Sequence, residues 1–155
     1  MRNKVMKNKV MKRLMYSLAF IVGVAAAGTP AFAQQLRGLR VEFQGPGGHS
    51  SSAYGRVSAL HAAARAVILI QKALPSGSYQ ITNLTGGNSV NSIASDGLIE
   101  MKVTAANPAA YRALVAAVTK AAAEGAAAEN AFRGVKAGDL TSGAPATVRS
   151  VVTPF

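Results

Sequence analysis

The chain has 155 residues, with 17 Lys and Arg against 6 Asp and Glu, a formal net charge of +11 and no cysteine. Six of the cations, Arg2, Lys4, Lys7, Lys9, Lys12 and Arg13, crowd the N-terminus; the other eleven are scattered, with no aromatic residues interleaved among them, which excludes the phosphate-tracking surface of a nucleic-acid binder. Without disulfides, the roughly 120 residues beyond the N-terminal segment must rely on one hydrophobic core and therefore read as one domain.

The basic stretch passes into LMYSLAFIVGVAAAG, which is apolar but shorter than the roughly 20 residues that span a bilayer. TPAFAQQ follows, with small residues Ala31 and Ala33 at the two positions a signal peptidase inspects and Pro30 ending any helix. Residues 1–33 thus read as a signal peptide cleaved after Ala33. That implies an exported protein, periplasmic or secreted, with no stable membrane anchor after cleavage. An uncleaved anchor is the rival reading. The near-copies MRNKV, MKNKV and MKRLM lengthen the basic region and leave Met6 and Met11 as alternative starts.

From Leu36 the residues alternate, Leu39, Val41 and Phe43 against Arg40, Glu42 and Gln44, until Gly45, Pro46, Gly47 and Gly48 stop the pattern; this predicts a half-buried strand and a turn. Val57, Leu60, Ala64, Val67 and Ile68 then recur at helical spacing up to LPSGS, predicting an amphipathic helix of about five turns. SYQITNL and GLIEMKVTA each alternate as strands with one apolar face. Asn107 is a good N-cap, with Pro108 at the first helical position, for a second helix whose stripe is Tyr111, Leu114, Val115 and Val118. A fourth strand would complete an α+β, ferredoxin-like split βαβ sandwich (β-α-β-β-α-β): a four-stranded antiparallel sheet with two helices on one face. Its only candidate is ATVRSVV, whose alternation is too short to assign a strand. Residues 34–140 are taken as the domain and 141–155 as a C-terminal tail that need not be ordered.

Few residues carry chemistry. GPGGHS departs from a dinucleotide fingerprint, with Ser50 in the third glycine position and a proline between. No G-x-S-x-G elbow surrounds any serine, so Ser50, Ser51 and Ser52 read as turn and helix-start residues. The two histidines, His49 and His61, have no second ligand at a chelating spacing, so no metal site is expected. His61 lies beside the first helix's apolar stripe and reads as a partly buried histidine. His49, in a glycine turn at a strand end, is exposed and not needed for packing.

The stretch VEFQGPGGHSSSAYGRVSALHAAARAV, followed by ITNLTGGNSVNSIASDGLIEMKVTAANPAAYRAL, resembles the lid, or dimerisation, domain of the dinuclear zinc metallopeptidases of family twenty, such as acetylornithine deacetylase, aminoacylase, carboxypeptidase G and carnosinase. The resemblance covers Val41 to about Asn130, and GPGGHS and GGNSVNSIA, in this order around a helix, are its specific motifs. It implies the same strand and helix order and a homodimer formed through a lid edge strand and helix. It also implies roles for particular residues. His49 would reach across the dimer into the partner's zinc site and stabilise the developing oxyanion. Asn91 would contact substrate, and Gly86 and Gly87 would shape its loop.

The family's zinc ligands have no counterpart here: no H-x-D and no adjacent acids occur, and no length remains on either side for a catalytic domain. No cofactor is therefore expected in this chain, the zinc belonging to the full-length family. One reading is a stand-alone, non-catalytic lid that self-associates or binds a partner. Another is an accessory or remnant that supplies His49 in trans to a separately encoded zinc catalytic domain. A third, an independent hydrolase pairing His49 with a serine, has no nucleophile elbow to support it.

Overall fold

The computed structural model describes residues 35–155, so the signal peptide expected at 1–33 lies outside the described residues. In chain order the elements are β1 (Gln35–Gln44), β2 (Gly48–His49), α1 (Ala59–Ala73), β3 (Tyr79–Thr85), β4 (Ser92–Ile93), β5 (Asp96–Ala105), α2 (Pro108–Phe132), β6 (Leu140–Thr141), β7 (Ala144–Pro145) and β8 (Arg149–Pro154). The four longer strands form one antiparallel sheet in the order β3-β5-β1-β8. This is the α+β sandwich expected from the sequence, with β2–β4 and β6–β7 as small additional pairs.

Strand alternation decides the two faces. Leu39 stands opposite Met101 and Val41 opposite Ile99, and all four are buried with Phe43 and Val103 in the core under the helices. Burying each large apolar side chain is worth about 1.5–3 kcal/mol, so the two central strands supply much of the driving force. On the opposite face Arg40 meets Glu100 in an ion pair of 3.0 Å. Ser58 caps α1 by accepting from the His61 N–H, and Asn107 caps α2 by accepting from the Ala110 N–H at 2.8 Å, with Pro108 opening that helix as expected.

Helix α1 departs from its expected orientation. It spans 15 residues, about four turns, and buries Ala59, Ala62, Ala63, Ala66 and Ile70. Of the bulkier stripe read from the sequence, Val57 is buried in the core just ahead of the helix, Leu60, Ala64 and Val67 are half-buried and Ile68 is exposed. The reason is helix–helix distance. A Cβ at Gly125 of α2 would stand 2.8 Å from the Ala66 Cβ and 2.9 Å from the Ala62 carbonyl oxygen, so this approach admits only small residues. His61 is likewise exposed rather than partly buried.

The residues set apart as a C-terminal tail contain the fourth strand. β8 pairs with β1 from Leu39↔Pro154 to Gln44↔Arg149, beginning three residues later than the ATVRSVV candidate. Long-range contacts place it. The Asn130 side chain, on α2, accepts from the Val148 N–H at 2.8 Å and donates to the Val148 carbonyl at 3.0 Å, pairing with the backbone as a strand would. The intervening β6–β7 hairpin turns at Ser142 and Gly143, both at positive φ (51° and 79°), as a two-residue hairpin requires.

Candidate functional site

At the end of β1 the chain must reverse tightly, and glycine allows it. Gly47 and Gly48 have φ of 59° and 144°, and a Cβ on them would meet Ser95 Cβ at 2.7 Å and Ala53 Cβ at 2.5 Å. The turn delivers Gly48 and His49 into a short pairing with Ile93 and Ser92, and the Ser50 N–H donates to the Asn91 carbonyl at 2.9 Å. The two glycine-containing motifs, some forty residues apart in sequence, are zipped together. Gly86 is required on the other side, where a Cβ would stand 2.5 Å from the Asp96 carbonyl oxygen, and Gly87 has φ of 76°.

Two of the residues singled out from the sequence, His49 and Asn91, therefore meet at this end of the sheet. His49 Nε2 lies 3.1 Å from the Asn91 side-chain nitrogen, and His49 Nδ1 lies 2.8 Å from Ser51 Oγ. Asn91 Oδ1 in turn contacts the Ser89 hydroxyl, and Asn88 Oδ1 accepts from Ser92 Oγ at 3.2 Å. His49 and Asn91 are both exposed, so the pair faces outward. Ser51, read from sequence only as a turn residue, is a further partner of His49. A serine two residues after a histidine carries no signal of its own in the sequence.

Beside this pair, towards α1, runs a groove of about 400 Å³ lined by Tyr54, Arg56, Leu60, His61, Val90 and Arg133 among others. Three of its lining residues, Ser58, His61 and Arg133, meet a second group that the sequence did not show. Glu129 of α2 is fully buried. It accepts from the Ser58 N–H at 3.1 Å, from Arg65 Nε at 3.1 Å and from Arg133 Nε at 3.2 Å, with His61 Nδ1 at 3.8 Å. Burial pushes its carboxyl up, but the Ser58 amide and the two guanidiniums outweigh burial and hold it below its ordinary value. Phe132 lies between the two arginines, its ring 5.0 Å from Arg65 and 4.9 Å from Arg133. Glu129 thus ties α2 to the start of α1.

The donor set does not suit the zinc of the resembled enzymes. His49 is engaged by a hydroxyl and an amide, Glu129 by two arginines, and among the described residues no group of three or more His, Cys, Asp and Glu converges to hold a metal. What the end of the sheet offers is hydrogen bonding: an imidazole and a carboxamide, each able to donate and to accept, side by side on a two-strand base.

Compared with known proteins, residues 34–130 match the model of the peptidase dimerisation domain, M20_dimer. No curated protein matches the chain. Among solved structures, it is similar to an aminobenzoyl-glutamate utilization protein from Klebsiella pneumoniae at 16% identity and TM-score 0.59, covering 78% of this chain and 28% of that one. A hydantoinase/carbamoylase family amidase from Burkholderia ambifaria matches at 20% identity and TM-score 0.59, over 79% and 28%. A dinuclear metal binding peptidase of the M20 family from Bacillus subtilis matches at 16% identity and TM-score 0.53, over 79% and 26%. At these identities the likeness is one of fold, and the chain spans little more than a quarter of the length of the enzymes it matches.

Proposed function

Because the chain belongs to the M20 peptidase dimerisation domain family, in which this domain mediates dimerisation, we propose that it is an exported, self-associating module without catalysis of its own. The observation that carries this reading is the outer flank of α1. Leu60, Ala64 and Val67 share the flank of the helix away from Arg65, which holds α2 through Glu129, and Ile68, one turn after Arg65, faces outward beside them. Next to that flank is β3, an edge strand of the sheet. Register puts Leu84 on the helix side opposite Ile99, yet it is exposed, as is Ile68.

An edge strand with free N–H and C=O groups beside an uncovered apolar helix flank suits a second copy of the same surface. Two β3 strands run antiparallel across a two-fold axis, extend the sheet from four strands to eight and bring the two α1 flanks together. Sedimentation of the purified chain at micromolar concentration tests this: a dimer is expected, and a monomer would overturn it. Export is read from residues 1–33, and mass spectrometry of the secreted or periplasmic fraction should find Gln34 at the N-terminus. The purified module should retain no stoichiometric zinc after dialysis and hydrolyse no N-acyl amino acid or dipeptide.

A second reading is favoured by the exposed His49–Asn91 pair. As an accessory to a separately encoded zinc catalytic domain, the chain would supply His49 in trans as a hydrogen-bond donor to a developing oxyanion, with Asn91, Gly86 and Gly87 forming the wall against the substrate. A neighbouring reading frame carrying H-x-D and paired glutamates would identify that domain. Mixing the two products should then yield hydrolysis that falls by at least tenfold with His49→Ala.

A further inference from the structure

Both ring nitrogens of His49 are engaged, and the chemistry of the partners decides where the ring hydrogen sits. The Ser51 backbone N–H approaches Nδ1 at 3.3 Å, and the Ser51 hydroxyl lies 2.8 Å from the same atom. A backbone N–H can only donate, so Nδ1 is the accepting nitrogen, and the neutral imidazole carries its hydrogen on Nε2.

Nε2 stands 3.1 Å from the Asn91 side-chain amide. A protonated Nε2 requires an oxygen there. The amide therefore turns Oδ1 to the ring and its NH2 to the Ser89 hydroxyl oxygen, which touches the far side of the same group and also accepts from the Asn91 backbone N–H at 3.4 Å. Carboxamide oxygen and nitrogen are alike in shape, so it is the hydrogen-bond network that decides their order. With this order every group in the series Ser51, His49, Asn91, Ser89 has a complementary partner. The reverse order sets N–H against N–H at Nε2.

We infer that the Ser51 backbone N–H holds His49 in the Nε2–H tautomer, so that the outward nitrogen is a donor ready for an oxygen acceptor, a place that Asn91 Oδ1 fills in the free chain. The inference deepens the reading in which His49 donates to an oxyanion, and it adds what that reading leaves open: why the hydrogen is on the correct nitrogen. In the Nδ1–H tautomer His49 would present a lone pair to the oxyanion and repel it.

The test is nitrogen-15 NMR of the labelled chain at mildly alkaline pH, with His49 distinguished from His61 by the signals lost in His49→Gln. The wild type should show a protonated Nε2 and an unprotonated Nδ1. Ser51→Ala keeps the backbone N–H, and because the hydroxyl it removes can donate or accept and serves either tautomer, the ratio of Nε2–H to Nδ1–H should change by less than about twofold. Ser51→Pro, which removes the N–H, should lower that ratio about fivefold, the equivalent of one ordinary hydrogen bond. A wild type in which Nδ1–H predominates, or a ratio unmoved by Ser51→Pro, would overturn the inference, and the wild-type spectrum decides even where a variant fails to fold. The trans-donation reading fails elsewhere, in the mixing experiment, and its failure would leave the tautomer as measured.

Discussion

The two flanks of helix α1 follow opposite rules. On the inner flank Ala62 and Ala66 meet Gly125 so closely that a single added carbon would overlap them, and Glu129 with Arg65 and Arg133 closes the same seam in hydrogen bonds. On the outer flank stand Leu60, Val67 and Ile68, larger side chains with less to bury them. Small residues mark the flank whose partner is already present in the fold, where the backbones must approach. Large ones mark the flank that, on the proposed function, a second molecule would complete.

The inner seam should break most severely. Gly125→Leu drives a side chain into Ala66 and the Ala62 carbonyl and should destabilise the chain by about 3 kcal/mol, read from urea unfolding. Glu129→Ala leaves Arg65, Arg133 and the Ser58 N–H without their acceptor; since both arginines are partly exposed and water can take over some of those bonds, about 2 kcal/mol is expected. A loss under about 0.5 kcal/mol in either variant would mean that the seam does not hold the helices together.

The same carboxylate makes a pH prediction. Folding lowers the Glu129 value below its ordinary 4.5, so the unfolded chain binds the proton more readily. Its contribution to stability is then fully present above pH 4.5 and is lost as pH falls through the lower folded value. Comparing unfolding curves of wild type and Glu129→Gln above and below that range should show the difference between them shrinking in acid. A constant difference would assign the loss in Glu129→Gln to packing alone.

On the outer flank the expected effects reverse. Ile68→Lys, at an exposed site, should change the stability of the monomer by no more than about 0.5 kcal/mol while weakening self-association at least tenfold, because a desolvated lysine at a two-fold seam faces its own copy. Sedimentation against concentration separates the two. Mildest of all, His49→Ala should leave both stability and dimer unchanged within about 0.5 kcal/mol, since the residue faces outward from the end of the sheet. A dimer lost on His49→Ala would place the interface at the glycine turns instead of along α1 and β3.

Much of this protein was determined by the sequence read locally. Alternation in β1 and β5, the capping residue Asn107 with Pro108 after it, and the motifs around His49 and Asn91 were all legible because each is a relation between near neighbours along the chain. Gly47 and Gly48 were legible for a related reason, since a turn that stops an alternating strand favours residues without Cβ, whereas Gly86 and Gly87 were singled out only through the family resemblance. What tertiary structure decided were the relations between distant residues. Hydrophobicity placed a stripe on α1 but could not show which side the sheet would take, because alanine against glycine outweighed leucine and isoleucine once the helix axes had to come close. β8 was too short to stand out, since Asn130 and the β6–β7 hairpin position it rather than a pattern of its own. Glu129 looked like one acid among alanines until folding brought two arginines and the Ser58 amide around it, and Ser51 acquired a role only when the pairing of β2 with β4 set His49 between it and Asn91. Periodicity and capping act over a few residues and can be read in order; packing distance and buried charge depend on groups some sixty to seventy positions apart, and only the closed fold brings them within reach of one another.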